Sequence, residues 1–234
     1  KSDSKAAVVP QSPLAEVLTS SITGLVAETI KSSSNSGGSS SGGSSNKVLK
    51  PRFGSFVRVD SPENDISIFA IVFNVITNPP DSVHKPSALG LTRDQLRVEQ
   101  PHIFALLKTE VHAQIVGYLD WSDKAIYQHL PPQPPEVHDF VYSASQEEVL
   151  KLSSEFEFLR LLNGVTSVPA DELMAACVRE AARARAQNSD SAHDAEQVST
   201  AYLVEAGRAI SQLFRSDYER MLSIVRKIKP GNVG

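Results

Sequence analysis

The stretch that most directly predicts the fold reads PRFGSFVRVDSPENDISIFAIVFNVITNPP, residues 51–80. It contains two runs rich in Val, Ile and Phe, and all three residue types favour β-strands. The letters SPEND, residues 61–65, separate the runs and combine Pro, Asn and Asp, which are turn formers. Asn78, Pro79 and Pro80 close the second run. The stretch therefore predicts a β-hairpin.

Further β-prone segments lie on both sides of this hairpin. Residues 24–30, GLVAETI, are either a strand or a weak helix continuing from SPLAEVL. Residues 109–119 carry apolar side chains at alternate positions, and residues 137–144 predict a short strand after the proline-rich LPPQPPE. Between the hairpin and residue 109, LTRDQLRVEQPHIFALL predicts a helical or irregular crossover that Pro101 interrupts.

From Ser145 onward the pattern becomes helical. Ser145 and Glu148 have the spacing of a capping box, and a second helix-forming run has Pro169 in its first turn. A last segment, residues 195–229, predicts one continuous apolar stripe ended by Pro230. The stripe consists of Leu203, Ala206, Ile210, Leu213, Phe214, Met221, Leu222, Val225 and Ile228. Strands followed by helices predict an α+β fold.

The serine- and glycine-rich segment 32–45 contains nine Ser, four Gly and one Asn. Because it has no apolar side chain to bury, it predicts a flexible coil with a span of about 20 Å. Composition leaves two interpretations open, a tether between separate bodies or an expanded loop within one domain. Residues 1–13 are polar and interrupted by proline, and they predict a poorly ordered tail.

Overall composition excludes several classes of protein. The chain has 23 basic and 27 acidic residues, a net charge of −4. This charge argues against a protein that binds its ligand mainly by neutralising phosphate groups, but it is compatible with a local basic patch. A single cysteine excludes an intramolecular disulfide and an all-cysteine zinc site. No apolar run approaches the ~18 residues of a membrane span. Because the first residue is Lys1, a removed targeting segment is one expectation.

The segments GLVAETI, PRFGSFVRV and IFAIVFNVI, in this order, resemble the HAS-barrel family. This family is named for a small β-barrel shared by HerA-type DNA-translocating ATPases and ATP synthase subunits. The stretch LPPQPPEVHDFVY and the helical tail are similar to longer, stand-alone members found in cyanobacteria and other bacteria. The resemblance covers residues 14–229.

The resemblance implies a small antiparallel β-barrel over residues 14–144, with the glycine- and serine-rich segment 32–46 as a loop joining two of its strands. It implies a helical domain over residues 145–230. It also favours LPPQPPE as a rigid strap rather than a polyproline ligand of another protein. In this family the barrel is a docking module and ATP hydrolysis belongs to a separate P-loop domain. Since no GxxxxGK[ST] occurs here, no catalytic residue and no cofactor is implied.

Isolated polar residues supply no recognisable catalytic or metal-binding pattern. Glu110 and His112 share a strand face, and Glu99 and His102 are three residues apart, but no His-x-x-x-His or Glu-x-x-x-His pair occurs. His138 and Asp139 are adjacent on a predicted strand and would face opposite ways. Cys177 lies in the middle of a helix, where a buried small apolar residue is expected. We therefore expect no catalytic site and no metal site.

Three arginines on one predicted helix form the candidate basic patch. Arg179 and Arg183 are four residues apart and share a face, and Arg185 follows. The interpretations are a solvated helix face, which the nearby Glu172 and Glu180 favour, or contact with nucleic acid.

The resemblance, together with the lack of a catalytic pattern, implies a non-enzymatic docking or structural subunit of a larger multiprotein assembly, and it makes an ATPase a candidate partner. The alternative is a nucleic-acid-associated accessory factor that works with a HerA-like translocase. The expected location is a bacterial cytoplasm or the chloroplast stroma, in soluble form. The candidate interface residues are Phe53, Phe56, Val57, Leu213 and Leu222.

Overall fold

The computed structural model describes residues 12–30, 50–78, 89–187, 189 and 191–228. The predictions for residues 1–11 of the N-terminal tail and for the glycine- and serine-rich segment 32–46 lie outside the described residues. The end of the last predicted helix, residues 229–230, also lies outside them.

Six antiparallel strands close into a barrel. Their order is β2-β1-β7-β3-β4-β5, and pairing of β2 with β5 closes the ring, while a short seventh strand, β6, adds to β5. The strands are β1 (Ala15–Ser20), β2 (Gly24–Thr29), β3 (Phe56–Ser61), β4 (Ile66–Asn78), β5 (Lys108–Asp120), β6 (Ile126–Tyr127) and β7 (Phe140–Ser143). The predicted α+β class and small antiparallel barrel are confirmed.

The hairpin predicted from residues 51–80 is present as β3 and β4. Its register runs from Phe56 opposite Ile71 to Ser61 opposite Ile66. The turn is a single 3-10 turn, Pro62–Asn64, and Asp65 follows it with a left-handed φ of 53°. Asp tolerates this conformation better than most residues, which explains why a short turn suffices here.

The first strand pair settles the ambiguity of the N-terminal segment. SPLAEVL does not begin a helix, because β1 pairs with β2 on one side and with β7 on the other. In β2 every second residue is buried, the period of a strand with one face on a core. Since β2 precedes residues 31–49 and β3 follows them, both flanks of the glycine- and serine-rich segment belong to the same barrel.

Seven helices complete the described chain. The crossover between β4 and β5 carries α1 (Arg93–Glu99) and α2 (Pro101–Leu106), and Pro101 begins the second of these. After β7 come α3 (Gln146–Leu152), α4 (Phe158–Leu162), α5 (Ala170–Ala186), α6 (Ala192–Leu213) and α7 (Tyr218–Ile228). The predicted capping box of Ser145 and Glu148 is confirmed at the start of α3.

The prediction of one continuous apolar stripe over residues 195–229 is wrong, because the chain turns between α6 and α7. The N–H of Phe214 still reaches the carbonyl of Ile210, whereas Asp217 accepts a hydrogen bond from the N–H of Arg220 and starts the next helix. The turn lets α7 pack on α5 beside α6. Phe214, Ile224 and residues of α5 thereby enter one core.

Two hydrophobic cores result, one inside the barrel and one between the barrel and the helices. In β4, Ile68, Ala70 and Val72 face the interior, whereas Phe69 and Ile71 face the helices. This explains why the strand is apolar at successive positions rather than at alternate ones. The interior core consists of Leu14, Ala15, Val17, Leu25, Ala27, Val57, Val59, Ile66, Ile68, Ala70, Val72, Val111, Ala113, Ile115 and Val141.

The turn before β3 lies in close contact with α5. Gly54 has a φ of +79°, and a Cβ added there would lie 2.6 Å from the Cβ of Ala176 and 2.8 Å from the nitrogen of Cys177. Only glycine avoids both the strained backbone and the collision. Glycine at position 54 therefore allows α5 to pack directly on this turn of the barrel.

Candidate interaction surfaces

The candidate interface on the β3 hairpin is largely covered. Phe56 and Val57 are only 5% and 1% exposed. Val57 lies in the interior core, while Phe56 contacts Phe158 edge to face, with ring centroids 6.2 Å apart. Both residues are therefore corrected to core positions, because the barrel closes around Val57 and the helical layer covers Phe56. Phe53 stays at the surface.

The candidate interface on the terminal helices is also partly used within the chain. Leu213 is half-buried and packs against the helical core. Leu222, on α7, is half-buried as well. Neither residue lies on an open continuous stripe, because the turn after α6 divides the stripe between two helices. A role of these two leucines in partner binding stays a prediction.

Arg185 connects three helices instead of facing a ligand. Its guanidinium donates to the carbonyls of Ser153 (2.9 Å) and Leu150 (3.3 Å), beside the C-terminus of α3. It lies 3.7 Å from the centroid of the Tyr202 ring on α6. Burial lowers the pKa of Arg185, and the charges of Tyr202 and Glu205 oppose this shift. Arg185 is thus corrected from a nucleic-acid candidate to a structural cation, because its donors are occupied.

The other two arginines of the predicted patch remain at the surface. Arg179 is exposed, and Arg183 pairs with Glu180 at 2.6 Å. Their contact with nucleic acid stays a prediction.

A second structural cation, Arg58, was not foreseen from the sequence. From β3 it pairs with Glu148 at the start of α3, approaches Asp60 at 2.9 Å and lies 5.5 Å from the centroid of the Tyr142 ring. Burial alone would lower the pKa of Arg58, but the hydrogen bond and charge of Glu148, together with Asp60, raise it. Glu148 therefore serves both as capping residue and as the link from α3 to the barrel.

A groove with a volume of about 310 Å³ lies between the barrel and α5, and we call it the junction groove. Its charged residues come from two distant parts of the chain. The described residues that line it are Leu14, Lys50, Pro51, Arg52, Ser55, Phe56, Ser143, Ala144, Gln146, Val149, Glu180, Arg183, Ala184 and Gln187.

Two arginines that line the junction groove approach the same carboxylate oxygen. Oε1 of Glu180 lies 2.6 Å from Nη1 of Arg183 and 3.6 Å from Nη1 of Arg52. Lys50 lies at the same rim and donates to the hydroxyl of Thr77 at 2.6 Å. No sequence signal pairs Arg52 with Arg183, because only the contact of the turn at Gly54 with α5 brings them together.

A second groove, of about 290 Å³, lies on the outer face of β2 and β5. His112 lies in it, with Phe73 in edge contact at 6.0 Å between ring centroids. Its Nε2 is 3.7 Å from Oε2 of Glu110. Within the described ranges, no three His, Cys, Asp or Glu side chains lie close enough together to hold a metal ion.

The remaining polar candidates have structural partners. His138 Nδ1 lies 2.6 Å from Oε1 of Glu16, while Asp139 accepts a hydrogen bond from the N–H of Glu136. Cys177 is fully buried, and this burial raises the pKa of its thiol.

The proline-rich stretch LPPQPPE crosses from β6 to β7 along the barrel. Pro131 and Pro135 are buried, the carbonyl of Pro135 accepts a 2.5 Å hydrogen bond from the Ser20 hydroxyl, and Leu130 packs against the interior core. Pro132 is exposed and Pro134 is half-buried, so the strap interpretation stays a prediction that the burial of Pro131 and Pro135 supports.

The helix pair α1–α2 exposes two aliphatic side chains, and one of them, Val98, is the most exposed large hydrophobic residue of the described chain. Val98 is 83% exposed and Leu106 is 51% exposed, and α1 has no buried residue. Among the described elements, the two helices pack mainly on each other. On the barrel, Leu18, Val137 and Phe140 are also exposed, on β1, the strap end and β7.

Comparison with models of known protein families gives no match, and comparison with curated proteins gives none either. The resemblance to the HAS-barrel family therefore stays a prediction. No helix in the described part of the chain is long and apolar enough to cross a membrane.

Proposed function

We propose that this chain is a non-enzymatic docking or structural subunit of a larger assembly and that the helix pair α1–α2 is a contact surface for a partner protein. The observation that carries this proposal is the exposure of Val98 and Leu106 on two short helices that pack mainly on each other.

Short helices need a covered apolar face. An isolated helix of seven residues such as α1 is marginal in water, because too few hydrogen bonds offset the cost of starting it. Helices of this length normally gain their stability by packing an apolar face on the protein core. A partner surface would supply that packing for α1 and α2.

The resemblance to a family of docking barrels supports the same function, and it makes an ATPase one candidate partner. The nucleic-acid alternative has weaker support, because Arg185 is occupied within the helical core and Arg183 is paired with Glu180.

The test uses the tagged full chain to isolate complexes from the cells that produce it, followed by native mass spectrometry. Val98→Lys and Leu106→Lys should abolish a stoichiometric complex and leave thermal stability unchanged. Val204→Lys is the matched control, since Val204 is 49% exposed on α6, and it should retain the complex. A complex that survives both α1–α2 substitutions would refute this surface. Salt-sensitive DNA binding that Arg179→Glu weakens would favour the alternative.

A further inference from the structure

The junction groove is an unusual site in an acidic chain. Among the described residues that line it, Lys50, Arg52 and Arg183 are cationic and Glu180 is the one carboxylate, so these residues carry a charge of +2. The whole chain has a net charge of −4. The groove therefore attracts anions, whereas the rest of the molecule on balance repels them.

The two guanidinium groups have donors left over for a second anion. Both approach the same oxygen of Glu180, and the Arg52 pair, at 3.6 Å, is longer than a hydrogen bond. Each guanidinium carries five N–H donors in a planar fork that matches a carboxylate. The side chains of Arg52 and Arg183 are 70% and 44% exposed, so a ligand reaches them without moving the core.

Part of the groove lining is apolar, and we call this part the floor. It consists of Leu14, Phe56 and Val149, which are buried, together with Ala144 and Ala184. An aliphatic side chain placed on this floor would lose contact with water. The volume of about 310 Å³ is enough for a few side chains but not for a folded element.

Together these features distinguish a peptide from a nucleic acid. A single-stranded nucleic acid binds by stacking its bases on exposed aromatic rings, whereas Phe56, the aromatic residue among the described residues that line the groove, is 5% exposed. A peptide matches both the charge and the floor when an Asp or Glu stands next to an aliphatic residue.

We propose that the junction groove binds an extended acidic segment of a partner protein. One Asp or Glu carboxylate of the segment contacts Arg52 and Arg183, and a neighbouring aliphatic side chain lies on the apolar floor. This inference rests on the proposed docking function and adds the chemistry of one partner segment, at a site separate from α1–α2.

The experiment selects a displayed library of random twelve-residue peptides on the purified full chain. The most enriched peptide is then synthesised with a fluorescent label, and its affinity is measured by anisotropy. We expect the enriched peptides to share an acidic residue beside an aliphatic one. Removal of a charge-assisted hydrogen bond should weaken binding about 10-fold or more, so Arg52→Gln and Arg183→Gln should each have this effect.

The matched control is Arg179→Gln, which removes the same charge from the same helix outside the groove and should change the affinity less than about twofold. Circular dichroism confirms that each variant is folded, and Arg52→Gln carries little risk of unfolding because its side chain is 70% exposed. A labelled single-stranded oligothymidylate is the competing probe.

Four results would overturn the proposal: no enriched peptide, enriched peptides without an acidic residue, equal effects of Arg183→Gln and Arg179→Gln, or displacement of the peptide by the oligonucleotide. Isolation of complexes with the tagged chain distinguishes failure of the junction groove from failure of the docking function. If the junction groove fails while the Val98→Lys variant still loses its complex, docking through α1–α2 stands.

Discussion

Two described glycines, Gly54 and Gly90, have a left-handed φ. Replacement of Gly54 by alanine should destabilise the protein more than the same replacement of Gly90. Gly54 has a φ of +79°, and the new Cβ would lie 2.6 Å from the Cβ of Ala176. The left-handed conformation costs an alanine about 1–2 kcal/mol. Overpacking at a close contact adds about 1–3 kcal/mol. We expect the free energy of unfolding to fall by about 3 kcal/mol, which lowers Tm by about 6–12 °C for a chain of this size.

Two other glycines separate the contributions. Gly90 has a φ of +67° and nothing within 4 Å of an added Cβ, so Gly90→Ala carries the backbone strain alone. Gly207 lies in α6 with open space around it, and Gly207→Ala should raise the free energy of unfolding by about 0.5–1 kcal/mol.

The assay is urea unfolding of the three variants, followed by circular dichroism. If Gly54→Ala is no more destabilising than Gly90→Ala, the contact between the turn and α5 is not tight, and our account of how the helical layer lies on the barrel is wrong.

Two further predictions concern buried groups. Arg185→Met should lower the free energy of unfolding by about 1–3 kcal/mol, because carbonyls at the end of α3 lose their donor. The control Arg179→Met should change the free energy of unfolding by less than about 0.5 kcal/mol. Equal losses for the two variants in urea unfolding would contradict the structural role of Arg185. Burial raises the pKa of the Cys177 thiol above its ordinary value of 9.0. The unfolded chain therefore loses this proton at a lower pH than the folded chain, and the free energy of unfolding should decline as pH rises above about 9. Cys177→Ala should make that decline shallower in thermal melts between pH 8 and 10.5, and an unchanged slope would show that the thiol is not the group responsible.

Local signals predicted several elements well, because the interactions behind them span only a few residues. The β3–β4 hairpin follows from turn formers between two β-prone runs, and the α3 start follows from Ser145 and Glu148. The first strand was ambiguous, since Ala, Glu and Leu suit helices as well as an alternating strand. Pairing of β1 with β7, far away in the sequence, decides it.

The candidate sites were harder to predict, because exposure depends on what lies above a strand. Phe56 and Val57 belong to a hairpin whose sequence shows that it is apolar but not which face remains open. Likewise, Arg183 and Arg185 are two residues apart on the same helix, yet one points to the junction groove and the other to the end of α3.

The sequence by itself determined the α+β class, the central hairpin, the helical end of the chain and the caps, because turn chemistry, strand propensity and helical periodicity act between near neighbours. Only the tertiary structure decided that the N-terminal segment completes a barrel, that the last helix turns back at Phe214, and that Arg52 meets Glu180 across the junction groove. Those outcomes depend on contacts between residues far apart in the chain, and such contacts exist only once the helices lie on the barrel.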